Sequence, residues 1–274
     1  MLKQRLLTVA VILPLFLAML FLAPNAVWGA ALVVAITVAA FEWARLAGWP
    51  PVGRTVFAAV VAASCAALLI LSVLMPEALF DRRLLFPLCL LATLFWILLA
   101  PAALHFQWRL RRPLTASVAG WLVLVPTWLA AMVLQREPVL LLLLLGGVWI
   151  ADTAAYFAGR RFGNHKLAPR ISPGKTVEGL IGAYLAVLIY AVVVLRVFRP
   201  EAEFTAYLAL LVFGCILTSL SVEGDLLESW FKRQAGAKDS GDLLPGHGGM
   251  LDRIDSLTAT MPFAVLFFAG ALAR

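Results

Sequence analysis

Runs of about twenty apolar residues recur along this chain with short polar breaks between them. A helix needs ~20 mostly apolar residues to cross a hydrocarbon core, so runs of this length decide the fold class first. Nine segments meet that requirement: 6–23, 26–46, 56–75, 84–104, 115–134, 138–158, 179–198, 204–222 and 255–272. Of the 274 residues, 63% are hydrophobic and only 14% charged, against roughly 25% charged in a soluble domain. One globular core cannot bury that much apolar surface; lipid has to serve as solvent. The expected fold is all-α, a polytopic membrane protein with about nine transmembrane helices.

The start, Met1 to Arg5 followed by an apolar run, has the pattern of a signal peptide. A second apolar run follows at once from Ala26, which favours an uncleaved first membrane helix. The Ala23-Pro24-Asn25 link predicts a helical hairpin. Prolines at 14, 87, 101 and 126 fall inside segments, as membrane helices tolerate. Cys65, Cys89 and Cys215 each stand alone in apolar surroundings, which excludes a disulfide framework and a zinc motif. Trp28, Trp43, Trp49 and Trp108 read as interfacial belt or lipid-facing bulk.

Orientation follows from lysine and arginine. With the N-terminus cytoplasmic, sixteen of the twenty-two basic residues fall on the cytoplasmic side and six on the other. The net charge of +7 is then mainly a topology signal. Nucleic-acid binding is excluded, because the basic residues sit at membrane edges and form no single stripe. The chain divides into residues 1–137, five N-terminal membrane spans, and residues 138–274, four spans with cytoplasmic loops 159–178 and 223–254. The second part is the expected catalytic region.

Seven of the fifteen acidic residues lie between Glu223 and Asp255, mixed with Lys232, Arg233, Lys238 and Arg253. Carboxylates and cations together are what a metal-bound phosphate demands. If the eighth span continues as a helix, Asp225, Glu228, Ser229 and Lys232 share one face. Asp252 and Asp255 stand one turn apart at the mouth of the ninth. Hard oxygen ligands of this kind suit Mg²⁺, which binds substrate phosphates as well. Between them the glycines of Pro245-Gly-His247-Gly248-Gly249 let backbone N–H groups approach a phosphate. His247 is either a general base, a phosphate donor or a positioning group. Each charged pair alone is more often an exposed helix-face ion pair; the clustering reverses those odds.

A second region follows the sixth span. Asp152 lies within an apolar run, where a carboxylate is costly and functional by default. After it, Ser172, Lys175 and Thr176 supply hydroxyl and ammonium donors suited to phosphate oxygens. A helix cap explains the same residues nearly as well, and the spacing is not that of a Walker A loop.

The stretch from Ser229 to Asp255 resembles the signature of the phosphatidate cytidylyltransferase (CDP-diacylglycerol synthase) family: S-x-x-K-R, four variable residues, K-D, then P-x-H-G-G-x-x-D-R-x-D. The likeness extends to Gly224–Ser229, Asp152–Gly159 and Ile171–Thr176, and so covers about residues 150–262. Glu223 departs from it, standing where an apolar residue is expected. The resemblance implies a nucleotidyltransferase that takes CTP and phosphatidic acid to CDP-diacylglycerol and pyrophosphate. It implies Mg²⁺ as cofactor, leaves room for a second, monovalent cation, and places the enzyme in a bacterial inner membrane with its site at the cytoplasmic face. Carried over residue by residue, Asp225, Asp252 and Asp255 become metal ligands. Lys232, Arg233, Lys238, Asp239, His247 and Arg253 become catalytic residues. Ser172, Lys175, Thr176, Ser229, Gly248 and Gly249 become substrate-binding residues. Partners are CTP, phosphatidic acid and membrane lipids; a homodimer is compatible with the sequence.

The main rival is an ion-coupled secondary transporter of an anionic solute. That reading predicts inverted repeats between the two halves, and none is found. A CDP-alcohol phosphotransferase would carry a D-G-x-x-A-R run, which this chain lacks.

Overall fold

The computed structural model of the protein describes residues 2–75, 82–109, 112–241 and 248–272. Helices α1 (Leu2–Leu22), α2 (Asn25–Leu46) and α3 (Pro51–Leu74) come first. Helix α4 runs Arg82–Leu94, passes through a π-helical turn at Phe95–Leu99 and ends as Ala100–His105. Pro101 stands just beyond that wide turn, which accommodates its missing N–H. Helices α5 (Pro113–Leu134) and α6 (Pro138–Phe162) lead into a small antiparallel hairpin, β1 (Lys166–Ala168) and β2 (Ser172–Thr176). The chain continues as α7 (Val177–Phe198), α8 (Phe204–Gln234), α9 (Leu251–Phe267) and a short α10 (Ala269–Leu272). Three of these helices open on proline, at Pro51, Pro113 and Pro138, where its fixed φ is pre-set and no N–H is missed.

Among the described residues, seven helices are long and apolar enough to cross a membrane. This is a multi-pass, all-α membrane protein with one short β-hairpin. The observed helices overrun the apolar segments. Helix α6 reaches Phe162, and α8 reaches Gln234, so residues 223–234 are helix where a loop was expected. Helix α9 starts at Leu251 and ends at Phe267, where a span over 255–272 was expected. Hydropathy stops where charges begin, but these helices carry their charges on hydrogen-bonded backbone.

Helix α5 is the hub of the bundle, with Leu124, Val125, Trp128, Leu129 and Met132 fully enclosed. Its neighbours attach to it through polar contacts as well as packing. Asn25 Nδ2 donates to Met132 O at 2.8 Å, and Gln135 Nε2 donates to Leu20 O and Ala23 O, pinning the α1–α2 link. Trp28 and Trp43, expected from the sequence at the interface or facing lipid, are instead both buried. Their indole N–H groups donate to Ala131 O at 3.1 Å and Ala116 O at 3.0 Å. An indole inside a bundle can bury its large ring if its one donor finds a backbone carbonyl. Trp49 is half-buried, and Trp108 is exposed as expected.

Two close helix pairs position the polar end. Helices α6 and α7 meet through small residues: a Cβ built on Gly179 would fall 2.7 Å from Ala155 O, and one on Gly182 would fall 2.4 Å from the Ala158 Cβ. Helices α8 and α9 meet at Gly224, where a Cβ would lie 2.4 Å from the Asp255 carbonyl oxygen. Ser256 Oγ donates to Ser221 O at 3.1 Å across the same contact. One apolar core runs from α1 to α9, so the N-terminal and C-terminal regions share it.

Candidate functional site

The polar residues collect where the end of α6, strand β2, the last three turns of α8 and the first turn of α9 come together. Thr176 ends the hairpin and caps α7: its Oγ1 accepts from Gly179 N at 3.1 Å. The hydroxyl is buried against Gly159, Gly163 and Gly179. The cap thereby sets the path of β2, and Lys175, one residue earlier, projects towards α8. Its Nζ lies 2.8 Å from Asp225 Oδ2 and 3.4 Å from Val222 O. Ser229 Oγ donates to Asp225 Oδ1 at 3.1 Å, one turn along the same helix face. Asp152, Asp225 and Asp255 are near enough to feel one another's charge, with Lys175 among them. Asp255 Oδ1 accepts from the Ser256 N–H at 2.7 Å.

A second cluster lies two turns further along α8. Lys232 Nζ sits 2.6 Å from Glu228 Oε2 and 2.6 Å from Asp252 Oδ1, joining α8 to α9. The other oxygen of Asp252 accepts from Ser240 N at 2.9 Å, Ser240 Oγ at 2.9 Å and Gly249 N at 2.8 Å. Burial pushes the Asp252 carboxyl up, but the Lys232 ammonium and the Gly249 and Ser240 N–H groups outweigh it and hold it at about 2. Asp252 lies ahead of the apolar stretch of α9. Gly248 has φ +80°, and a Cβ there would fall 2.6 Å from Asp252 Oδ2, so both its backbone and its surroundings demand glycine.

The residues expected from the sequence thus divide. Lys175, Asp225 and Ser229 come together, and so do Lys232, Asp252, Gly248 and Gly249; Asp255 joins the first group through its charge. Arg233 reaches backbone, donating from Nε to Ile171 O at 3.3 Å and from a terminal nitrogen to Ala237 O at 3.2 Å. Lys238, Asp239 and Arg253 are exposed on the same side, and Ser172 is half-buried on the hairpin. His247 lies outside the described residues. Among the described residues, no three acidic, histidine or cysteine groups are gathered tightly enough to hold an ion as they stand.

Two further carboxylates take part: Glu228, which its spacing already placed on this face of α8, and Glu42, which was not expected. Glu228 is buried, with Oε1 unpartnered among the described residues. Glu42, at the end of α2, is also buried, and its carboxylate accepts from Met250 N at 3.1 Å, Leu251 N at 2.8 Å and Ser240 Oγ at 3.0 Å. A signal for Glu42 was present: it is a carboxylate inside an apolar span, the same feature that singled out Asp152.

Comparison with known proteins shows the family. The sequence profile of the Cytidylyltransferase family matches residues 3–270. The chain is 40% identical over 284 residues to the phosphatidate cytidylyltransferase of Pseudomonas aeruginosa, covering 98% of each. It is 48% identical over 125 residues to that of Haemophilus influenzae, covering 44% of this chain and 42% of the relative. It is 41% identical over 129 residues to that of Thermotoga maritima, covering 46% and 48%.

Proposed function

The chain belongs to the cytidylyltransferase family, and we infer from that membership that it transfers CMP from CTP to phosphatidic acid, giving CDP-diacylglycerol and pyrophosphate for phospholipid synthesis. The observation that carries this reading beyond the sequence match is the pairing of two lysines with three carboxylates from two helices at one end of the bundle. Lys175 stands on Asp225, and Lys232 bridges Glu228 and Asp252.

In this reaction an oxygen of the phosphatidate phosphate attacks the α-phosphorus of CTP. The new P–O bond forms as the bond to the β-phosphate bridging oxygen breaks, and pyrophosphate leaves with that electron pair. The nucleophile is already an anion, so no strong base is required. The obstacle is repulsion between two polyanions, and fixed cations are the remedy. Lys175 meets substrate phosphates by exchanging carboxylate for phosphate oxygens, while Lys232, held by two carboxylates, adds fixed positive charge beside them. Lys238 and Arg253, exposed nearby, add attraction for the nucleotide's charge. Ser229 orients Asp225, and Arg233 ties the hairpin turn to the end of α8.

The donor chemistry fits Mg²⁺. Asp152, Asp225 and Asp255 share one neighbourhood with a single ammonium among them, an excess of negative charge that a hard cation relieves. We assign Asp225 and Asp255 to the ion, with Asp152 beside them and room for a second, monovalent cation. Asp252 serves better as the partner of Lys232, because both its oxygens are already engaged. Bound there, Mg²⁺ would neutralise phosphate charge and stabilise departing pyrophosphate. The basic-residue bias supports a cytoplasmic position for this end of the bundle, at an inner membrane where soluble CTP meets a lipid confined to the leaflet.

The deciding assay is CTP-dependent conversion of labelled phosphatidate by purified protein in detergent, with and without Mg²⁺. Product formation only with both CTP and Mg²⁺ is expected. Inactivity under all conditions would return the question to the transporter reading, for which detergent is no medium.

A further inference from the structure

Helix α9 carries Asp252 in its first turn and Asp255 at the start of its second, yet its N-cap residue is Met250, which has no side-chain acceptor. The first N–H groups of a helix need acceptors from outside it. Those of Met250 and Leu251 donate to Glu42 at 3.1 and 2.8 Å, so the cap arrives from α2, more than two hundred residues earlier in sequence. The helix dipole and the buried carboxylate favour each other at this contact.

The same carboxylate organises what precedes α9. Ser240 Oγ lies 3.0 Å from Glu42 Oε2 and 2.9 Å from Asp252 Oδ2, so one hydroxyl sits between the two acids. Arg45, one turn beyond Glu42, donates to the Ser240 carbonyl. Two glycines press on the acid: a Cβ on Gly241 would fall 2.1 Å from Glu42 Oε1, and one on Gly249 would fall 2.5 Å from it. Without side chains at these positions, backbone from both flanks of the glycine-rich segment can close around one carboxylate.

We propose that Glu42, with Arg45, is a positioning residue for the transfer reaction: it fixes the start of α9 and the Ser240–Gly241 flank, and so aims Asp252 and through it Lys232. The inference rests on the cytidylyltransferase reading. It gives the N-terminal membrane region a part in the chemistry.

The test compares wild type with Glu42→Gln and Ser240→Ala, purified in the same detergent, by kcat, KM for CTP and thermal midpoint. Glutamine keeps the size of Glu42 but sets an N–H₂ group against N–H donors. We expect kcat to fall about 10- to 100-fold, as misplacement of reacting groups costs, with KM for CTP within about two-fold. Glu42→Asp, which keeps the charge, should recover part of the rate. Ser240→Ala removes one hydroxyl only and should lower kcat several-fold, so the proposal stays testable if the Glu42 variants fail to fold. A wild-type kcat in Glu42→Gln, or in a folded Ser240→Ala, overturns the positioning role. So does a rate loss that aspartate does not relieve. A wild-type enzyme inactive on phosphatidate would instead overturn the function itself.

Discussion

Lys175 and Lys232 are the same functional group in two different settings. At the first, one ammonium faces a group of three carboxylates, and the Lys175 and Asp225 side chains stay 23% and 33% exposed. At the second, Lys232 is clamped between two carboxylates from neighbouring helices, with Asp252 only 7% exposed and tied down by three further bonds. The open cluster has negative charge to spare and room to exchange partners. The closed one is nearly complete and holds α8 and α9 in register. Charge density alone does not distinguish a binding site from a brace; unspent hydrogen-bonding capacity does.

That contrast can be broken in several ways. Lys232→Met would leave Glu228 and Asp252 facing each other without their cation, and breaking such a buried pair costs about 3–5 kcal/mol. A clear fall in the detergent thermal midpoint is expected; an unchanged midpoint would remove the distinction. Asp225→Asn should instead spare the fold and lower the transfer rate about 100- to 1,000-fold, by initial-rate assay at saturating CTP. If it unfolds the protein, the open cluster is a brace too. Mg²⁺ at a hundred times Kd should stabilise the wild type by about 2.7 kcal/mol, read as a higher thermal midpoint, and leave the midpoint of Asp225→Asn where it was. An equal rise in both would move the ion elsewhere. Lys175→Met, at the more open pair, should change stability by no more than about 1 kcal/mol; a larger loss would make the two lysines alike.

Much of this was legible in the chain. Asp225, Ser229 and Lys232 lie on one face of α8 because the spacing puts them there, and Asp152 was marked by its place in an apolar run. Trp28 and Trp43 misled, since an indole suits a lipid interface and a bundle interior equally, and only the carbonyls of α5 decide between them. Thr176 has a double meaning of the same kind: a hydroxyl before a helix is both a phosphate donor and a cap, and here it caps. Glu42 carried a signal, yet nothing near it in sequence says what it meets. Its partners, Ser240, Met250 and Leu251, are supplied by the far end of the chain.

What the sequence by itself determined is the set of membrane helices, the end of the bundle that holds the charge, and the family, because hydropathy, periodicity and signature spacing are properties of short stretches. What the tertiary structure decided is the division of labour among the charges: Asp252 to Lys232 and the glycine-rich flank, Asp225 to Lys175, Glu42 to the start of α9. A carboxylate's role depends on how many donors surround it and how little water remains. Both are set by helices that meet only after the chain has folded.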